Sequence, residues 1–520
     1  MMLRFITFIL FTFLVIGCSP KTPTVSETKT VTFTKKPQGK SPLDTYFAKT
    51  DKPLGQHSAF YPLALPLDAL AARLFLIDHA STSVDVQYYI YDDDTIGKIF
   101  SGHLLMAAQR GVRVRILLDD LSTSGKDESL QKLSQHPNVE LRLFNPNRLR
   151  TSFRNIALLL NVNSLGKRMH NKSLIADGTA AIIGGRNIGD VYFAATYKTL
   201  FLDYDILSVG SVVPQISKAF DIYWNSEQAA LASEVLGVKD SDYIQIEKVF
   251  TETLERRLKV FSTSDYGKRV LRTPFSQKVK NNNLILTVSD EVHFFYDSPT
   301  KVATNENNNS GHISRKISED LIAVASNVII ISPYFIPSDR MMERLKHLRE
   351  KNIEVTIVTN SLASTDVSPV YAGYQSYIKP LLNMGVSLYE LKPNGLDGVK
   401  KVKTFEKIPN LSLHTKMILI DQKKLAVGSA NIDPRSDKLN TEIFMVIESK
   451  KLTEKQYKSI KNVLNLHYFY KLSLDEMGQY VLWTTREEGK LMQYTNRPKV
   501  GFFKALGTDI MSILPIKGYL

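Results

Sequence analysis

Residues 169–177 read MHNKSLIAD, and residues 413–421 read LHTKMILID. The pattern H-x-K-x-x-x-x-D therefore occurs once in each half of the chain, as His170, Lys172 and Asp177 and again as His414, Lys416 and Asp421. One match of this length carries little weight, because short motifs arise by accident. The second copy changes that, since each is followed by an apolar run and a glycine-and-asparagine turn, IIGGRN and AVGSAN. SLIA and MILI read as strands, Asp177-Gly178 and Asp421 to Lys424 as turns, and AAII and LAV as returning strands. Elsewhere strands alternate with helical patterns. The expected fold class is α/β, with two similar lobes, each a mixed β-sheet flanked by helices.

Side chains two apart on extended backbone share a face, so His170 can act with Lys172, and His414 with Lys416. The returning strands deliver Gly184, Gly185, Arg186 and Asn187, and Gly428, Ser429, Ala430 and Asn431. Small residues admit an anion close to the backbone, and Asn187, Ser429 and Asn431 are candidate donors to it. Each motif brings only one imidazole and one ammonium group, half of what phosphoryl chemistry needs. One shared site at the lobe interface, built for a phosphate ester, is therefore expected. Asp177 and Asp421 lie at the turns and read as structural, accepting backbone hydrogen bonds.

Each half also offers an acid. Asp203 in FLDYDILSV and Glu442 in LNTEIFMVI open strongly apolar strands, where a carboxylate needs a partner. Bonded to one imidazole nitrogen, it would fix the tautomer and aim the other nitrogen at substrate. Asp203 is expected to serve His170, with Asp205 as the fallback, and Glu442 to serve His414. The plainer reading is that these acids cap strands at the surface.

These residues closely resemble the phospholipase D superfamily, whose hallmark is the duplicated His-Lys-Asp motif. VQYYIYDDDTIGKIFSGHLLMAAQRGVRVRILLDD looks like the opening strand-helix-strand of its first lobe, and VIIISPYFIPSDRMMERLKHLREKNIEVTIVTNSLASTD like the counterpart in the second. The likeness runs from about Ser58 to the C-terminus and is greatest to bacterial cardiolipin synthases of the YmdC-like type. It implies a phosphatidyltransferase acting on phosphatidylglycerol and phosphatidylethanolamine through a covalent phosphatidyl-histidine. His170 would be nucleophile and His414 acid and then base; Lys172 and Lys416 would neutralise the phosphoryl oxygens. Phospholipid hydrolysis to phosphatidic acid is the alternative; nuclease chemistry, shared by some superfamily members, is disfavoured by the export signal described below. The scheme needs no cofactor or metal. Asp92-Asp93-Asp94, the nearest metal candidate, reads better as a solvated turn.

The 520 residues, 43% hydrophobic and 23% charged, are those of a folded multi-domain protein. A net charge of +14 suits an anionic partner without choosing between lipid and nucleic acid. Cys18 is the only cysteine, which excludes an internal disulfide framework. It ends an apolar N-terminal run, and Leu14 to Cys18 resembles a lipoprotein lipobox. The plainer alternative is an uncleaved anchor with Cys18 incidental. The expected organisation is a signal peptide over 1–18 with lipidation at Cys18, a flexible tether over 19–57, a first lobe over 58–260, and a second lobe with a C-terminal extension over 261–520. That places the protein at the bacterial cell envelope, on the periplasmic face. Ser19 resembles the signal that sorts lipoproteins to the outer membrane. Two further runs are candidates for lipid contact, IALLL at 156–160 and the C-terminal helix around Phe502, Phe503, Leu506, Ile510 and Ile513. Lobe packing is the default for both. Tyr61, Tyr88, Tyr334 and Phe335 are candidate pocket walls, with core packing again the default.

Overall fold

The computed structural model describes residues 30–147, 166–236, 243–303, 313–320, 324–395 and 409–513. The signal sequence with Cys18, the IALLL run and the polar insertion TNENNNSGH at 304–312 lie outside them.

Two opening units share one design. In the first, strand Ser83–Tyr88 leads to helix Thr95–Gln109 and strand Arg113–Asp119. In the second, Asn327–Ile331 leads to Asp339–Glu350 and Glu354–Asn360. Asp94 and Ser338 cap the helices, accepting from Gly97 N and Met341 N. Each helix is followed by a residue in the left-handed region, Gly111 at φ +90° and Asn352 at φ +59°. Glycine and asparagine reach that region most cheaply, so the chain turns there.

The resemblance between halves extends to strand order. The first sheet contains, side by side, Asp205–Gly210, Ala180–Gly184, Ser173–Ala176, Ser83–Tyr88, Arg113–Asp119 and Val139–Phe144. The second repeats this as Ile443–Glu448, Lys424–Gly428, Met417–Ile420, Asn327–Ile331, Glu354–Asn360 and Ser387–Leu391. In each run the last three strands are parallel and the others antiparallel. Period-two alternation then sorts the side chains. Ile175, Ile183, Leu419 and Leu425 point inward into a core shared by both lobes, whereas Leu174, Ile182, Ile418 and Ala426 point outward to the helices. The lobes are thus joined by packed apolar surface.

Two expected boundaries are corrected. The helices Tyr243–Thr263, Asp265–Leu271 and Pro274–Lys280 belong to the first lobe, and strand Thr287–Val288 pairs with Ser58–Leu63. Phe275 packs on Tyr61, ring centroids 5.8 Å apart, and its N–H donates to Asp68. The chain changes lobe just after Val288, since Glu291–Tyr296 already pairs in the second sheet, so the division expected at 260 is some thirty residues early.

The tether expected over 19–57 likewise fails from Thr30 onward. Arg115 and Arg142 are fully buried and donate to the carbonyls of Thr32 and Thr30. Trp224 Nε1 donates to Thr32 Oγ1 at 2.9 Å, and Thr34 Oγ1 donates to Asp85 at 2.7 Å. Polar residues that suggested a solvated linker instead satisfy buried charges of the first lobe.

Candidate active site

The two motifs sit on equivalent hairpins. Strands Ser173–Ala176 and Ala180–Gly184 pair in the first lobe, and Met417–Ile420 and Lys424–Gly428 in the second. Asp177 and Asp421 stand at the turns with φ of 53° and 52°. Asp177 accepts from the backbone of Ser81, Thr82 and Ser83 and from the hydroxyls of Ser41 and Ser81. Asp421 accepts from the backbone of Ala325, Ser326 and Asn327 and from the Ser326 hydroxyl. Each carboxylate ties its hairpin to the start of the adjacent antiparallel strand, Ser83–Tyr88 or Asn327–Ile331, the structural role expected of it.

His170 and His414 lie just before the hairpins, and here the lobes cross. Strand Thr199–Leu202 of the first lobe runs parallel to Asn410–Leu413 of the second, with Leu202 opposite Leu413. One residue further on, Asp203 meets His414, whose Nδ1 lies 2.6 Å from the carboxylate. A bridge of Met169 to Thr441 does the same in reverse. One residue further on, Glu442 meets His170 Nδ1 at 2.9 Å. The expected pairing within each half is therefore wrong: Asp203 serves His414, and Glu442 serves His170. Asp205 is no fallback either. It is buried in ion pairs with Arg73 at 2.9 Å and Arg186 at 3.0 Å.

Both acids are buried, as are the two histidines and both lysines. With Nδ1 engaged by a carboxylate, each ring presents Nε2 as its second nitrogen. Lys172 Nζ donates to the His170 carbonyl and Lys416 Nζ to the His414 carbonyl, at 2.5 and 2.6 Å. Lys416 Nζ also lies 3.0 Å from His414 Nδ1. One ring nitrogen cannot donate to Asp203 and accept from lysine together. The shorter, charge-assisted contact to Asp203 takes precedence.

The electrostatics differ between the rings. Burial, then the charges of Lys172, Lys416 and His414, holds His170 well below the ordinary histidine range. Burial and Lys416 also lower His414, but Asp203 works against them. Burial would raise Asp203; His414, Lys416 and Arg186 outweigh it and hold the carboxyl below its usual range. Glu442 moves the other way, because burial exceeds the pull of Lys172. Burial lowers both lysines, Lys172 the further.

The remaining expectations divide. The Ser429 hydroxyl donates its one proton to Glu442, so it supports that acid and not a phosphate. Asn187 accepts from Ile90 N and donates to the Tyr192 hydroxyl at 2.7 Å, so it steadies a ring rather than facing the site directly. Asn431 is buried with Oδ1 unpartnered. Among the expected aromatic walls, Tyr88 is buried and accepts from Arg73, and Tyr334 donates to Asp366 at 2.9 Å. The rings that meet the histidines were missed. Tyr89 lies edge-on to His170 at 5.1 Å and under Lys172 Nζ at 5.5 Å. Tyr192 lies edge-on to His414 at 5.3 Å, and Phe201 lies beside the same ring at 5.2 Å. Alternation was the available signal for Tyr89: if Tyr88 faces the core, its neighbour faces the other way. Ser436, which donates to Glu442 at 2.8 Å, had no such signal.

The family described as "Cardiolipin synthase, PLD-like domain" matches twice, over residues 74–224 and 319–464. Cardiolipin synthase C of Escherichia coli (strain K12) is 35% identical over 88% of this chain and 96% of its own length. An uncharacterized protein of Helicobacter pylori (strain ATCC 700392 / 26695) is 32% identical over 91% and 92%. The crystal structure of phosphatidylserine synthase from Haemophilus influenzae Rd KW20 shares the fold, with a TM-score of 0.55 at 13% identity over 82% of this chain and 93% of that one. With a duplicated His-Lys-Asp site and both repeats matched, this chain belongs to the phospholipase D-like cardiolipin synthase family.

Proposed function

We propose that this protein is a phosphatidyltransferase that makes cardiolipin by joining the phosphatidyl group of one phospholipid to phosphatidylglycerol. The observation that carries the reading is the crossed carboxylate pairing: each imidazole is fixed through Nδ1 by an acid from the other lobe. Two oriented histidines flanked by two lysines suit in-line displacement at a phosphodiester.

In the first step His170 Nε2 attacks phosphorus. The P–O bond to the departing alcohol breaks, and His414 gives that oxygen its proton. In the second step His414 takes the proton of the incoming alcohol, whose oxygen attacks phosphorus and breaks the P–N bond. Lys172 and Lys416 offset charge on the phosphoryl oxygens. Two differences support this division of roles. His170 is the more firmly deprotonated, as a nucleophile must be, and His414 has the ionised partner that favours an imidazolium.

The same reading places the protein at the bacterial cell envelope. Cys18 is proposed as a lipidated anchor on the periplasmic face; C18A should abolish palmitate labelling, and unchanged labelling would remove the anchor without touching the chemistry.

The test of function is product analysis of purified protein incubated with phosphatidylglycerol, with and without phosphatidylethanolamine. Cardiolipin is expected. Phosphatidic acid and free head group without cardiolipin would make the protein a phospholipase, and preferential cleavage of DNA would overturn both readings.

A further inference from the structure

The described chain ends in helix Phe502–Ile513, for which lobe packing was the default expectation. The structure places its apolar face outside. Phe502, Phe503, Leu506, Ile510 and Ile513 are 72, 85, 45, 55 and 84% exposed. At 100° per residue they fall within an arc of about 100°. Together they present roughly 700 Å² of apolar surface, above the few hundred Å² usual for the largest patch on a soluble protein.

The rest of the helix is pinned. Thr508 is fully buried, and Asp509 holds Arg497 at 2.7 Å, which in turn reaches Gln375 at 3.1 Å. Gln375 lies about 10 Å along helix Ser368–Asn383 from its start. That helix begins just after Asp366, whose charge bears on both His414 and Lys416. The exposed face is therefore carried by the helix that leads away from the active site.

We infer that helix Phe502–Ile513 docks the enzyme on a bilayer surface containing anionic phospholipid, holding the active-site end of helix Ser368–Asn383 close to the lipid it draws on. Charge selects this occupant over a second copy. Lys490, Lys499 and Lys504 are exposed near the helix in sequence, Lys499 standing 3.9 Å from Glu487 and Lys504 lying outside the apolar arc, and the chain carries +14 overall. Two copies face to face would bring like charges together, whereas an anionic leaflet complements them. The benefit to the enzyme rests on the phospholipid chemistry proposed above, but docking itself can be measured without turnover.

The test uses the full chain carrying C18S and F503C, with an environment-sensitive nitrobenzoxadiazole label on the single cysteine, and a second chain labelled through E343C on another exposed helix. Mixed phosphatidylcholine–phosphatidylglycerol vesicles should shift the 503 label to the blue with a severalfold rise in emission, quenched by nitroxide lipid, and leave the 343 label unchanged. Adding L506E and I510E should weaken the response at least about tenfold. H170A should leave it intact, so that loss of catalysis and loss of docking are told apart. No response at 503 would overturn the inference. So would a shift that needs no vesicles and vanishes on dilution, which would assign the face to a second copy. An equal response to pure phosphatidylcholine would overturn the role of anionic lipid.

Discussion

The two half-sites are alike in sequence and topology but not in electrostatics. His414 sits against Asp203, a carboxyl held ionised by His414, Lys416 and Arg186. His170 sits against Glu442, a carboxyl that burial pushes up and that also receives the hydroxyls of Ser429 and Ser436. A carboxyl whose ionised form its neighbours favour stabilises an imidazolium more than one whose ionised form burial disfavours. A duplicated motif can therefore yield two roles, because the surroundings of each copy diverged while the motif did not.

Replacing the histidines should break the comparison most sharply. H170A should lower turnover by about 10⁴-fold or more and abolish any covalent adduct. H414A should lose natural turnover to a similar extent. It should still form an adduct with a phosphodiester that has a good leaving group, because a nucleophile remains. Rapid-quench mass spectrometry separates the two.

The carboxylates come next. D203N should cost about 10³-fold in turnover, since it leaves His414 without its charge-matched partner. E442Q should cost less, about 10²-fold, because Ser429 and Ser436 can still hold the amide. Steady-state rates with correctly folded variants check the order, and equal losses would remove the claimed asymmetry.

Stability offers a smaller contrast. Asp177 is fully buried with backbone and hydroxyl donors from two segments, whereas Asp421 is partly exposed. D177A should destabilise by about 3 kcal/mol or more and D421A by about 1–2 kcal/mol, read from urea midpoints. Proton linkage should be smaller still. Because folding lowers the basicity of His170, the unfolded chain binds a proton near pH 6.5 that the native chain refuses. Stability from this group is present above that pH and is lost as pH falls. The difference between wild type and H170Q should therefore shrink from pH 7.5 to 5.5, by at most about 1.4 kcal/mol per pH unit.

Much of this was legible in the chain. The hairpins SLIA/AAII and MILI/LAV appear where turn chemistry and apolar runs put them, and both turn aspartates accept the backbone bonds expected. The two acids were identifiable because a carboxylate opening an apolar strand demands a partner. Which histidine each would meet was not, because that depends on Leu202 lying opposite Leu413 and Met169 opposite Thr441, pairings between chain segments more than two hundred residues apart. The Thr-rich segment after Thr30 misled for a related reason. Its polarity reads as solvation until the buried Arg115 and Arg142 that it serves are seen. The helix Phe502–Ile513 misled in the opposite sense, since amphipathic spacing says which face is apolar but not whether the protein covers it.

Single-turnover labelling of His170 in D203N and E442Q tests the crossed site most directly. With a good leaving group, D203N should label His170 at close to the wild-type rate, because the acid it impairs is not needed, while E442Q should be slow with every substrate. With a natural phospholipid both should be slow. The reverse pattern, D203N slow with the activated substrate and E442Q unaffected, would mean that Asp203 serves His170 and would contradict the account.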